Sequence, residues 1–182
     1  QLLLFKILPC RVFFQKPYFV LHLIDYPKKP FPPFQSSYLL LSPLFWLWDN
    51  VAILLLFQAF FVSLGAYPIY LLAQKKLKDK LISLIISFSY LIFFGIQNAI
   101  AFDFHPITLA TTLLAYIFWF YEEKKFTSFW LSLILFMGLQ ENFFLTASAL
   151  GIYLIISKKD LKRGFLITLF GIGGFLLLIY LI

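Results

Sequence analysis

The 182 residues are 62% hydrophobic and only 13% charged, with a mean hydropathy of +0.92, a balance that leaves too little polar surface to clothe a water-soluble globule. The net charge of +7 does not point to nucleic acid, because the basic residues stand in short clusters between apolar runs, where they suit anionic headgroups and a cytoplasmic face. The single cysteine, Cys10, excludes an internal disulfide and a thiolate metal cage.

Residues 1–34 give little to interpret. Lys6, Arg11, Lys16, Lys28 and Lys29 are scattered among apolar residues, and Pro17, Pro27, Pro30, Pro32 and Pro33 argue against a continuous helix. From Gln35 to Trp48, Ser42-Pro43 and the pair Trp46 and Trp48 predict an interfacial helix. The transmembrane domain is expected over 35–182. Val51 to Ala73 carries no charge and, at about 1.5 Å per residue, is long enough for a hydrocarbon core of roughly 30 Å. Pro68 predicts a kink in it.

Five further apolar runs follow: Leu81–Ile100, Ile107–Tyr121, Phe126–Leu139, Phe143–Ser157 and Gly164–Ile182. The fold class expected is therefore all-α, a polytopic transmembrane bundle of about six membrane-embedded helices plus the interfacial one. Pro106 suits the first position of its helix, where its missing N–H is not needed. Ten of the fifteen Lys and Arg lie at 75–80, 122–125 and 158–163, every second connection, and the positive-inside rule makes those three cytoplasmic. The connections at 101–106 and 139–142 hold no basic residue. Each holds an acid, Asp103 or Glu141.

The runs 107–121, 126–139 and 143–157 have only about 14 to 15 residues, roughly 21 to 23 Å of helix. Either the bilayer thins around them or the acidic tips lie recessed in a protein-lined cavity. Ionisable groups at such depth are costly and mark substrate, ion or proton sites. In Asp103-Phe104-His105-Pro106 the carboxylate could serve as base or metal ligand and the imidazole as donor to a phosphate. The alternative is that Asp103 caps a helix and His105 rests among headgroups. Glu141, between Gln140 and Asn142, is the second candidate, against a plain solvated turn. Glu122 and Glu123, beside Lys124 and Lys125, read as a solvated cytoplasmic turn.

The stretches Leu54-Leu55-Leu56-Phe57-Gln58-Ala59, Leu64-Gly65-Ala66-Tyr67-Pro68-Ile69-Tyr70-Leu71-Leu72-Ala73 and Phe102-Asp103-Phe104-His105-Pro106 resemble a membrane-protein family known as domain of unknown function 2079, over roughly residues 31 to 182. In that family the second tip commonly reads Lys-Glu-Asp; here only Glu141 matches. The family is in turn similar to the C-type glycosyltransferases, which transfer a sugar from a polyprenyl-phosphate carrier on the extracytoplasmic side. That likeness implies a pocket lined by the catalytic candidates Asp103, His105 and Glu141, a membrane-lipid environment, a polyprenyl-phosphate sugar donor and, as a cofactor to look for, a divalent metal ion. Such enzymes usually hold a carboxylate after a first transmembrane helix. Neither that helix nor that loop stands here, and the chain begins at Gln1 and stops at Ile182 inside an apolar run, so a fragment inactive by itself is expected. A transporter, or a membrane subunit without activity, is the alternative from another class.

Overall fold

The computed structural model describes residues 52–101 and 104–181. The segment 1–34, the interfacial helix expected at 35–48 and Asp103 lie outside them. Every regular element among the described residues is helical: α1 (Ala52–Leu64), α2 (Ala66–Leu77), α3 (Lys80–Ile92), α4 (Phe94–Ala101), a 3₁₀ turn (Pro106–Thr108), α5 (Leu109–Glu122), α6 (Phe126–Met137), α7 (Asn142–Lys158) and α8 (Leu161–Leu181).

The described parts of the six apolar runs are helical, and they differ in length. Two stretches are long and apolar enough to span a membrane, Ala52–Leu77 and Leu161–Tyr180, and α3 with α4 makes a third if the bent pair is one span. Helices α5, α6 and α7 have 14, 12 and 17 residues. At about 1.5 Å per residue they measure roughly 18 to 26 Å, short of a core of about 30 Å.

Three residues before Pro68 the helical pattern is interrupted at Gly65, between α1 and α2, within the single stretch Ala52–Leu77. A proline ring collides with the carbonyl four residues earlier, so the helix gives way on its N-terminal side. There the Gly65 N–H tightens onto the Val62 carbonyl at 3.0 Å. Hydroxyls from neighbouring helices serve the loosened carbonyls: Thr112 donates to Phe61 at 2.9 Å, Tyr90 to Val62 at 3.0 Å and Ser87 to Ala66 at 2.7 Å. A Cβ on residue 65 would stand 2.5 Å from the Tyr90 Oη and 2.9 Å from the Thr112 Oγ1, so a side chain there would displace the two hydroxyls.

The second break has no proline behind it. Asp79 starts α3 by accepting from the Leu81 and Ile82 N–H groups at 2.8 and 3.1 Å, and the chain then bends by 41° into α4. The Gln97 side chain donates to the Leu91 carbonyl just before the bend.

The core lies where α5, α6, α7 and α8 meet, around Ile117, Phe129, Leu133, Phe136, Leu154 and Ile167. Helices α7 and α8 approach to backbone contact: a Cβ on Gly151 would lie 2.7 Å from the Gly164 carbonyl, and one on Gly171 would lie 2.5 Å from the Phe144 carbonyl. Small residues permit such approach between membrane helices, whose packing is driven by dispersion rather than by water. Outside this core large apolar side chains such as Leu81, Phe94, Phe165 and Phe170 are exposed, as a bilayer-facing surface requires.

The three basic connections meet at one end. Glu122 receives both Lys76, at 3.4 Å, and Lys158; Glu123 pairs with Lys75 at 2.8 Å; Asp160 binds Arg163 at 2.6 Å and accepts from the Tyr121 hydroxyl at 3.2 Å. Glu122 is thus a tie between connections, with its side chain only 19% exposed, and not the solvated turn read from its neighbours. Near it, Lys78, Lys124 and Lys159 each close a helix in the left-handed conformation, at φ 58°, 57° and 53°. A side chain there costs roughly 1–2 kcal/mol over the right-handed form.

Candidate functional site

Helices α5 and α6 are joined by a tight turn and pack against one another, so the start of α5 and the end of α6 fall at the end of the bundle away from the basic connections. The 104–108 segment and the 138–141 connection are therefore at one end, as the alternation of charges implied.

The tip before α5 is held by one side chain that lies fully buried, Gln58 of α1. Its Nε2 donates to the Ala99 carbonyl of α4 at 3.0 Å, and its Oε1 accepts from the His105 N–H at 2.9 Å. The amide thus grips the chain on both sides of residues 100–104. Gln58 lies within α1, so the His105 backbone is held against that helix. The His105 carbonyl accepts from the N–H and hydroxyl of Thr108, at 3.0 and 2.7 Å, which sets the 3₁₀ turn. The His105 side chain is exposed. Beside this knot a crevice of about 180 Å³ opens between Val62, Phe93, Gly95, Ile96, Ala99, Ile100, Thr108 and Thr111.

Glu141 stands at the start of α7. Its carbonyl accepts from the Phe144 N–H at 3.2 Å, while its side chain does not cap the helix. The carboxylate oxygen Oε2 is buried and has no hydrogen-bond partner. A carboxylate in that position is costly unless something else meets it. Asn142 beside it is exposed.

Of the residues expected to form the site, His105 and Glu141 are thus brought to the same end, and no hydrogen bond or ion pair joins their side chains among the described residues. Asp103 falls outside them. No group of three His, Cys, Asp or Glu side chains converges as a metal cage among the described residues. Gln58 was missed as a positioning group. Its signal was a lone amide in an apolar, charge-free run, since polar side chains in membrane helices serve as interhelical ties.

The perturbed carboxylates are at the other end. The hydrogen bond from Lys158 holds Glu122 below the usual range, against the opposing effect of its burial, and the hydrogen bond from Lys75 does the same for Glu123. Burial pushes Asp160 up, but the hydrogen bonds from Arg163 outweigh it and leave it lowered.

Residues 34–182 match the model of a family described as Predicted membrane protein (DUF2079). No curated protein and no solved structure matches the chain.

Proposed function

The chain belongs to the DUF2079 family of predicted membrane proteins, and from that premise we propose that it is part of a multi-pass cell-membrane enzyme that takes a sugar from a polyprenyl-phosphate carrier. In this reading all six helical runs are embedded. The two full-length spans and the bent pair cross completely, and α5, α6 and α7 stop short so that their tips border a recessed extracytoplasmic pocket. The connections at 75–80, 122–125 and 158–163 are then cytoplasmic.

The observation that supports this most is the buried, unpartnered Oε2 of Glu141, at the same end as the segment that Gln58 holds. In the reaction the bond between the sugar's anomeric carbon and the carrier phosphate breaks. A bond forms from that carbon to an acceptor hydroxyl, whose proton passes to a carboxylate. Glu141 and, by its place in the sequence two residues before His105, Asp103 are the carboxylates assigned to this step, and His105 is the donor for the departing phosphate.

The test is transfer from a polyprenyl-phosphate sugar by the complete gene product in membranes. Asp103→Asn, His105→Ala and Glu141→Gln are each expected to lower turnover about tenfold or more, about 1.4 kcal/mol of barrier, with insertion unchanged. Glu123→Gln, exposed at the opposite end, is the control. Full turnover in all three variants would overturn the assignment.

One observation favours a transporter instead: the broken helix at Phe93, where α3 bends by 41° into α4, since interrupted helices form ion and substrate sites in transporters. Substrate-dependent flux into proteoliposomes with no glycosyl transfer would select it.

A further inference from the structure

At the basic end the acids are already engaged. Glu122 holds Lys76 and Lys158, Glu123 holds Lys75, Asp160 holds Arg163, and Asp79 accepts from the start of α3. Lys125 sits over the Trp119 ring at 5.1 Å. That leaves Lys78, Lys80, Lys124, Lys159 and Lys162, all exposed and, among the described residues, without an acidic partner.

Three of these five are the residues in the left-handed conformation, one at each basic connection. Glycine or asparagine occupies such helix-ending positions without the steric cost a lysine carries there. The same costly choice recurs three times, at three connections that Glu122 and its partners draw to one end. The ammonium groups there add to the attraction for anions of an already cationic face. Exposed leucines flank them: Leu77 before Lys78, Leu81 after Lys80 and Leu161 before Lys162. A soluble anion would leave those leucines in water, whereas a lipid covers them with its chains and presents its phosphate at the level of the lysines.

We propose that this face binds the headgroups of anionic phospholipids, with Lys78, Lys124 and Lys159 as the ammonium donors to the phosphates. It is independent of the activity assigned to the other end.

The left-handed backbone supplies a sharp test, because Lys78→Asn, Lys124→Asn and Lys159→Asn together remove three charges while suiting the backbone better. The full chain, purified in a zwitterionic detergent, is titrated with phosphatidylglycerol or phosphatidylcholine, and bound lipid is counted by native mass spectrometry. The wild type is expected to retain phosphatidylglycerol preferentially and in a salt-sensitive way. The triple Asn variant is expected to lose that preference about tenfold or more, with an unchanged or higher melting temperature in detergent alone. A triple Arg variant should bind as the wild type does. Retention by the Asn variant equal to the wild type's overturns the proposal, and so does equal retention of the two lipids. Inorganic phosphate displacing phosphatidylglycerol at millimolar concentration would reassign the face to a soluble anion. If the Asn variant fails to insert, the Arg variant decides, and loss of the preference there also overturns the proposal.

Discussion

The two ends of this bundle both join segments far apart in sequence, and they do it by opposite means. At the basic end Glu122 joins connections through ion pairs that stay partly exposed. At the other end a neutral amide, Gln58, does the joining from a fully buried position. In a medium that holds no water, a neutral donor–acceptor side chain with both ends satisfied brings no charge to desolvate, whereas a charge pair is affordable only where water or headgroups remain. The position of each tie therefore follows the polarity of its surroundings, and the two should respond differently to substitution.

The largest effect is expected at the buried amide. Gln58→Leu strands the His105 N–H and the Ala99 carbonyl and should lower stability by about 2–5 kcal/mol, read from unfolding in mixed micelles. It should also make a cysteine at Phe104 react faster. An effect below that of the ion-pair variants would undo the contrast. Between the ends, Gly65→Ala drives a methyl against the Tyr90 and Thr112 hydroxyls and should cost about 1–3 kcal/mol; Tyr90→Phe in the same background should recover part of it.

At the basic end Glu122→Gln should cost only about 1 kcal/mol, and less as salt is raised. Its pH dependence has a fixed sign. Because the folded-state value is lowered from 4.5, the contribution is complete above that value and is lost as pH falls through the lowered one. Unfolding measured between pH 7 and 3 should thus show wild type and variant converging toward acid. The smallest effect is expected for Glu141→Leu. A buried oxygen with no partner contributes nothing to hold the fold, so stability should stay level or rise. A marked loss would reveal a structural partner for the carboxylate.

Much of this plan was legible beforehand, for physical reasons that differ by residue. Apolar run lengths and the alternation of Lys-rich with acidic connections located the six helical runs from 52 onward, because the bilayer imposes both length and charge placement. Pro68 announced a kink, and the helical pattern is interrupted three residues before it at Gly65, where the neighbouring hydroxyls reach the carbonyls. The bend at Phe93 had no such announcement. It is closed by Gln97, whose role depends on a carbonyl six residues back that is freed only once the bend exists. Gln58 was visible as an oddity but not as a clamp, since its partners lie 41 and 47 residues away. Glu122 was misread because neighbours in sequence suggested water, while its partners come from two other connections. The short runs were legible as short, and two or three stretches among the described residues have the length and apolarity of a full span.

The Gln58 clamp also orders events during synthesis. When α1 leaves the ribosome, neither partner of its amide has been made, and the second, His105, is added only 47 residues later. For the first 41 residues of that interval the growing chain builds a hairpin while the Gln58 amide has neither partner. Helix α1 is therefore made before α3 and α4, while its buried amide is fully satisfied only after them, when the chain returns past it at His105.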